Sequence, residues 1–295
     1  MSPFKQCLIE YIERNFHVSF ALFSLVVLTY HYSGVPIDWS YGAFAGLGTL
    51  VAYTYIRNVP PQVSLIDGVK RVLKQSPFWI HVLALLLLGL ISGLNQQQGL
   101  LLFVIMLLCL GYILPGPKLN PKLEVAKKSR HLPSPLRDFG AIKIIIVALV
   151  WSGMSVLMPL LSDTSLSPKV LWLFVAQALW VVVLIIPFEI RDIGKDQLRH
   201  PTWPQKLGLL GVKLLGSLLL MISVFIHFWL NNEPSPSTEV PIGFMGAPYL
   251  ITMILTAIGL LKATPKQSFW YSTFWIEALP IAWLILYYGF NFWIQ

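Results

Sequence analysis

Three carboxylates in the segment EIRDIGKD, Glu189, Asp192 and Asp196, are spaced by three and four residues. On a helix that spacing stacks the side chains on one face, where like charges repel. Hard oxygen ligands with negative charge to spare suit Mg2+, which usually takes one or two carboxylates and fills its other positions with water and substrate phosphate. A divalent ion would relieve the repulsion and offer a handle for a diphosphate. The alternative is a solvated helix end whose acids pair with Arg191, Lys195 and Arg199.

The element that delivers these acids is an apolar run, and the rest of the chain is built the same way. The 295 residues are 56% hydrophobic and only 12% charged, with a mean hydropathy of +0.70, too little polar surface to coat a water-soluble globule. Crossing about 30 Å of hydrocarbon takes roughly 20 apolar residues, and in lipid the backbone must satisfy its own hydrogen bonds. Nine runs meet that need, at roughly 16–34, 39–57, 77–94, 99–115, 138–161, 169–188, 205–230, 242–262 and 269–292. The expected fold is all-α: a polytopic membrane bundle of about nine transmembrane helices in one domain, residues 1–295. The first run lacks a convincing small-x-small cleavage site in LTYHYSGVP and reads as a retained span, while MSPFKQCLIEYIERN has the spacing of an interfacial helix.

Basic residues give the orientation. One set of loops holds Arg57, Lys70, Arg71 and Lys74, then Lys118, Lys122, Lys127, Lys128, Arg130 and Arg137, then Arg191, Lys195 and Arg199, then Lys262 and Lys266; the opposite loops hold only Lys169. The positive-inside rule puts the first set, and the N-terminus, on the cytoplasmic side, as in a bacterial inner membrane. The net charge of +8 needs no nucleic-acid partner, because a basic rim beside anionic lipid accounts for it; the same rim could hold a diphosphate.

Ionisable residues inside apolar runs are costly and face a cavity or a partner by default, which singles out Lys143, Lys213 and Glu277. Lys143 lies about one and a half turns into the fifth run, deep enough to meet a diphosphate held by the sixth, although snorkelling to headgroups would also explain it. Glu277 has no evident neighbour in sequence, and a structural hydrogen bond is expected of it. His81 and His227 stand alone on apolar helices and read as packing; His131 and His200 fall in polar loops. Cys7 and Cys109 suggest neither a disulfide nor a metal-thiolate site.

With these residues in view, EIRDIGKD resembles the second aspartate-rich motif of the UbiA superfamily of intramembrane prenyltransferases, Asp-x-x-Asp-x-x-x-Asp followed by a Thr, a Pro and a Gly that open the next helix. Here the series is Glu189, Asp192, Asp196, then Thr202, Pro204 and Gly208, with Glu for the first Asp and His200 where the family has Gly. Tyr112 and Pro115 in GYILPGPK resemble the Tyr-x-x-Pro that ends the family's fourth helix. The segment from Leu136 to Leu161 looks like its fifth, a combination associated with a divergent Bacteroidetes branch. The resemblance implies Mg2+ held by Glu189, Asp192 and Asp196, with a prenyl diphosphate and a hydrophobic acceptor, such as a quinone precursor, as partners beside membrane lipid. Catalytic roles would fall to Asp192, Asp196 and Lys143. The family's first motif should lie in VAYTYIRNVPPQVSLIDGVKR, where Thr54 and Asn58 are the nearest polar equivalents and Asp67 is the only acid. Diphosphate binding would then fall to Arg57, Asn58, Arg137, Lys143 and Arg191, since guanidinium and ammonium groups can neutralise phosphate directly. Two functions follow from this: Mg2+-dependent prenyl transfer, or a non-catalytic isoprenoid or lipid carrier on the same scaffold.

Overall fold

A computed structural model describes residues 3–59, 65–114, 136–161, 167–194, 201–232 and 246–294. Every ordered element among them is helical: α1 (Pro3–Glu13), α2 (Phe16–Tyr32), α3 (Trp39–Asn58), α4 (Leu65–Gln75), α5 (Phe78–Leu90), α6 (Gln96–Ile113), α7 (Gly140–Ser152), α8 (Met158–Leu160), α9 (Pro168–Arg191), α10 (Trp203–Asn232), α11 (Ala247–Lys262) and α12 (Leu279–Ile294), with short 3-10 and π turns between some of them. Each of the nine apolar runs carries one of these helices or a helix with its attached turns. Among the described residues, four helical stretches are by themselves long and apolar enough to cross a membrane, and up to six are if α1 with α2 and α4 with α5 each count as one bent span. This is a multi-pass membrane protein.

Long-range contacts fix the alternation of direction. At one end of the bundle Asn15 Nδ2 donates to Thr54 Oγ1, Asn58 Nδ2 to Ser76 Oγ, and His17 Nε2 lies 3.0 Å from the Phe274 carbonyl. At the other end Tyr41 donates to the Met154 carbonyl, Asn95 to that of Leu161, and His31 meets the Tyr288 hydroxyl. Successive apolar helices therefore run up and down, with the start of α2 and the ends of α3, α9 and α11 at a common face. The core lies along the inner faces of α2, α9 and α12, where Leu22, Leu25, Trp180 and Trp283 are almost fully buried. Outward-facing apolar side chains such as Leu85, Leu210 and Phe225 stay exposed, as expected where lipid is the solvent.

Two bends depart from straight spans. Asn15 sits at φ 64° between α1 and α2, and the helices meet at 63°, which turns α1 aside as an interfacial helix would lie. The helix α4 was not expected from the sequence; its apolar Ile66, Val69 and Leu73 are exposed on a helix carrying Lys70, Arg71 and Lys74, and it meets α5 at 114°.

Glycine matters most at two positions around the acidic end. Gly208 has φ 70° and breaks α10 one turn after Pro204, a conformation that costs a side-chain-bearing residue energy. At Gly140, opening α7, an added Cβ would sit 2.5 Å from the Thr202 Cα and 2.9 Å from the Pro201 carbonyl. Both are backbone atoms that cannot swing away. Gly140→Ala is therefore expected to cost about 1–3 kcal/mol through overpacking, seen as a lower midpoint of thermal unfolding in detergent; an unchanged midpoint would mean that the two segments do not touch.

Candidate functional site

The acidic end of α9 is built by its caps. At its far end Ser167 Oγ accepts from the Val170 amide and Pro168 occupies the first turn, both usual ways to start a helix. Near the other end Pro187 lacks an amide to donate, and Gln267 Nε2 donates to its carbonyl at 2.7 Å. The helix stops at Arg191, leaving Asp192 as its C-terminal cap.

That stop separates acids that the spacing would stack. Glu189, only 5% exposed, turns into the bundle, where Lys143 Nζ of α7 lies 2.9 Å from its Oε1. Asp192, beyond the last helical turn, is gripped by its own neighbour: Arg191 donates from Nε to Oδ1 at 3.1 Å and from Nη2 to Oδ2 at 2.6 Å. The same guanidinium donates from Nη1 to Ser272 Oγ and Thr273 Oγ1 and lies over the Phe188 ring. Asp196, Lys195, Arg199 and His200 fall outside the described residues. Among those described, no three His, Cys, Asp or Glu side chains converge as metal ligands would.

The meeting of α7 with α9 anticipated for Lys143 thus occurs, with a carboxylate in the place of a phosphate. Behind this pair a cavity of about 210 Å³ opens between Lys143, Ile144, Val147 and Trp151 of α7, Leu184, Ile185, Phe188 and Glu189 of α9, Tyr53 of α3, Tyr112 of α6, and Glu277. Trp151 Nε1 donates to the Tyr53 hydroxyl, which fixes two of its aromatic walls. A neighbouring cavity of about 120 Å³ shares Tyr53, Tyr112, Val147 and Trp151 and continues toward Leu22, Thr49 and Met154. The arrangement is a charged mouth on an apolar, aromatic interior, suited to a ligand with an anionic head and a hydrocarbon body.

The other basic candidates are placed elsewhere. Tyr53 and Ile56 look toward the cavities, but Thr54, Arg57 and Asn58 lie on the flank of α3 turned to the start of α2. There they line a separate polar pocket of about 270 Å³ with Glu13, Arg14, Asn15 and Gln75. Arg57 Nη1 donates to the Glu13 carbonyl and Asn58 to Ser76. Helical phase, not distance along the chain, sends them away from Lys143. Arg137 Nη2 donates to the Val59 carbonyl at 2.8 Å, a basic side chain closing the C-terminal end of α3. Lys213 does the same for α11 through the Leu261 carbonyl.

The sequence led to the expectation of a structural hydrogen bond at Glu277, and the structure places it on the cavity wall. It follows a π turn, Tyr271–Ile276, in which the Glu277 amide reaches back five residues to the Ser272 carbonyl. Such turns recur at functional sites. The carboxylate lines the cavity within electrostatic range of Arg191, and it has no hydrogen-bond partner among the described residues. The cost of an intramembrane acid was legible; the wall it would occupy was not.

No family model matches the chain, and no curated protein matches it. Among solved structures it is similar to the apo structure of a UbiA homolog from Aeropyrum pernix K1, with a TM-score of 0.54 and 18% identity, over 92% of this chain and 98% of that one. The shared feature is the fold.

Proposed function

We propose that this chain, having the fold of a UbiA homolog, is an intramembrane prenyltransferase of the UbiA superfamily that moves an isoprenoid chain from a prenyl diphosphate to a lipid-soluble acceptor. The observation that carries the reading is the Lys143–Glu189 pair at the mouth of an aromatic-walled cavity, one helical turn from the Arg191–Asp192 clamp. A diphosphate arriving at this mouth competes with both carboxylates for the two cations. Lys143 and Arg191 would then carry its charge while the tail lies against Ile144, Val147, Leu184 and Ile185. When the allylic carbon–oxygen bond breaks, its electron pair leaves with the diphosphate, and cations already in position stabilise the charge that develops there. Tyr53, Trp151 and Phe188 keep water from the allylic cation until the acceptor attacks.

Mg2+ fits this site in kind. Asp192 is a hard oxygen donor at the helix end, Asp196 follows it by four residues in the sequence, and Mg2+ asks no more than one or two carboxylates when phosphate completes its shell. Glu189, committed to Lys143 in the described arrangement, is a supporting member. Bound, the ion supplies further neutralisation of the leaving diphosphate. The charge asymmetry of the loops supports a bacterial inner-membrane location with the N-terminus and the acidic mouth on the cytoplasmic side.

A second reading, a non-catalytic isoprenoid or lipid carrier, is favoured by one observation: both Asp192 oxygens are occupied by Arg191. Purified protein incubated with Mg2+, an acceptor mixture and labelled prenyl diphosphates of several lengths separates the two. Diphosphate release with a prenylated product is expected. Tight binding without release would make it a carrier, and absence of both would remove the diphosphate from the account.

A further inference from the structure

We infer that the polar pocket between the start of α2, the end of α3 and the bend from α4 to α5 holds the phosphate of an anionic phospholipid from the leaflet on the basic face. This site is separate from the cavity behind Lys143 and independent of the transferase reading. Its lining, around about 270 Å³, sets two guanidinium groups, Arg14 and Arg57, against one carboxylate, Glu13, an excess of one positive charge. Part of the wall is fixed by its own bonds: Asn15 donates to Thr54, Thr54 to the Leu50 carbonyl, and Asn58 to Ser76. The cations, by contrast, keep donors to give. Arg57 spends Nη1 on the Glu13 carbonyl at 2.6 Å, and its Nε and Nη2 have no partner among the described residues. Arg14 meets Glu10 at 3.7 Å with both side chains more than half exposed, a pair worth little. A phosphate entering here gains guanidinium contacts without first displacing a carboxylate, whereas Arg191 must leave Asp192 before it can serve an anion. Asn15 and Pro77, the N-caps of α2 and α5, line the same pocket and neither makes a side-chain cap, so the positive ends of two helices add to the field.

The frame around the pocket marks the phosphate as a lipid's. The helix α1 leaves α2 at 63° and α4 meets α5 at 114°, so the pocket lies where two helices turn aside from the apolar bundle. On α4, exposed Ile66, Val69 and Leu73 stand beside Lys70, Arg71 and Lys74, the pattern of a helix resting on an anionic membrane surface. Trp79 lines the pocket, is itself exposed, and stacks on Phe16 at 6.2 Å; indoles gather at headgroup depth. A soluble phosphate uses none of these features. A phospholipid uses them together, with its head against Arg14 and Arg57 and its chains along Phe78 and the outer face of α5, where Leu85 and Leu86 are exposed. Basic pockets between spans are places where anionic headgroups bind.

The test is native mass spectrometry of the full chain released from detergent and titrated with dioleoylphosphatidylglycerol. Dioleoylphosphatidylcholine, which has the same chains and a phosphate covered by its own cation, and glycerol 3-phosphate, which has no chains, are the comparisons. The first phosphatidylglycerol should bind the parent about tenfold or more tighter than phosphatidylcholine, and Arg57→Gln should lose about tenfold, the effect of one hydrogen bond between charged groups. Arg57→Lys, which keeps the charge without the fork, should fall between. Arg14→Gln should lose several-fold, and because Arg14 is exposed that loss stands even where Arg57→Gln loosens α1. Lys266→Gln makes the same change of charge at an exposed position outside the pocket and should bind as the parent does. Equal affinity for the two lipids, parental binding in both Arg57→Gln and Arg14→Gln, or a loss in Lys266→Gln as large as in Arg57→Gln would each overturn the inference. Glycerol 3-phosphate bound as tightly as the lipid would make this a site for soluble phosphate esters and overturn its assignment to the membrane. Prenyl diphosphate with Mg2+ should leave the bound phosphatidylglycerol in place; one-for-one displacement would return Arg57 to donor binding and overturn the inference as well.

Discussion

Lys143→Ala is expected to lower the proposed prenyl transfer by on the order of 100-fold or more, the loss seen when one preorganised charge-stabilising donor is taken from a water-poor site. The same substitution takes from Glu189, whose side chain is 7% exposed, its ammonium partner at 2.9 Å. Removing one partner of a buried ion pair costs about 3–5 kcal/mol of stability. The two effects are separable, because neutralising the remaining acid repairs one and not the other. In Lys143→Ala combined with Glu189→Gln, thermal stability should return most of the way to the parent's while labelled diphosphate binding stays lost. Recovery of both would make Lys143 a purely structural counter-ion. Glu189→Gln alone, by contrast, releases the ammonium and should leave diphosphate binding intact or tighter.

Asp192→Asn divides the site differently, because this residue serves the metal in the proposed complex and restrains Arg191 in the described one. Diphosphate binding in the presence of Mg2+ should weaken by about 1–3 kcal/mol, the size of one lost contact to a charged group. With Mg2+ chelated, binding should strengthen, since the guanidinium no longer has a bidentate carboxylate partner to leave. Asp196→Asn should reduce the Mg2+-dependent affinity alone. Titrations of all three proteins with and without chelator decide the matter, and an Asp192→Asn protein whose Mg2+ response equals the parent's would remove Asp192 from the metal site.

The all-helical, multi-pass class was legible because each apolar run is a count of side chains against the thickness of a bilayer, and that count survives whatever the runs pack against. The meeting of Lys143 with the end of α9 was legible for a related reason: both sit a short way in from the same basic face. What failed was angular. Glu189 and Asp192 share a face only while a helix continues, and the helix ends at Arg191. Arg57 follows Tyr53 by one turn, yet a modest difference in phase gives one a cavity and the other the Glu13 carbonyl. The helix α4 could have been found, since Leu65, Ile66, Val69, Val72 and Leu73 recur at helical spacing between basic residues. Glu277 needed three dimensions, because its neighbours come from α3, α6 and α7.

The π turn before Glu277 makes this span tolerant of a one-residue change in length in a way that its composition hides. A bond from Glu277 back to Ser272 accommodates one residue more than an α-helical turn would hold. Losing a single residue from that turn would let the helix close with ordinary bonds and shorten the span by only about 1.5 Å, while its two halves keep nearly their present facing, because the wide turn already absorbs the extra residue. Trp283, now in the core, would still face inward, as would Ser272 with its partner Arg191; what would change is the path of the backbone between them. Among homologues of equal hydropathy, an alignment gap of one position in this turn would therefore mark a span that has lost its wide turn while keeping its inner and outer faces.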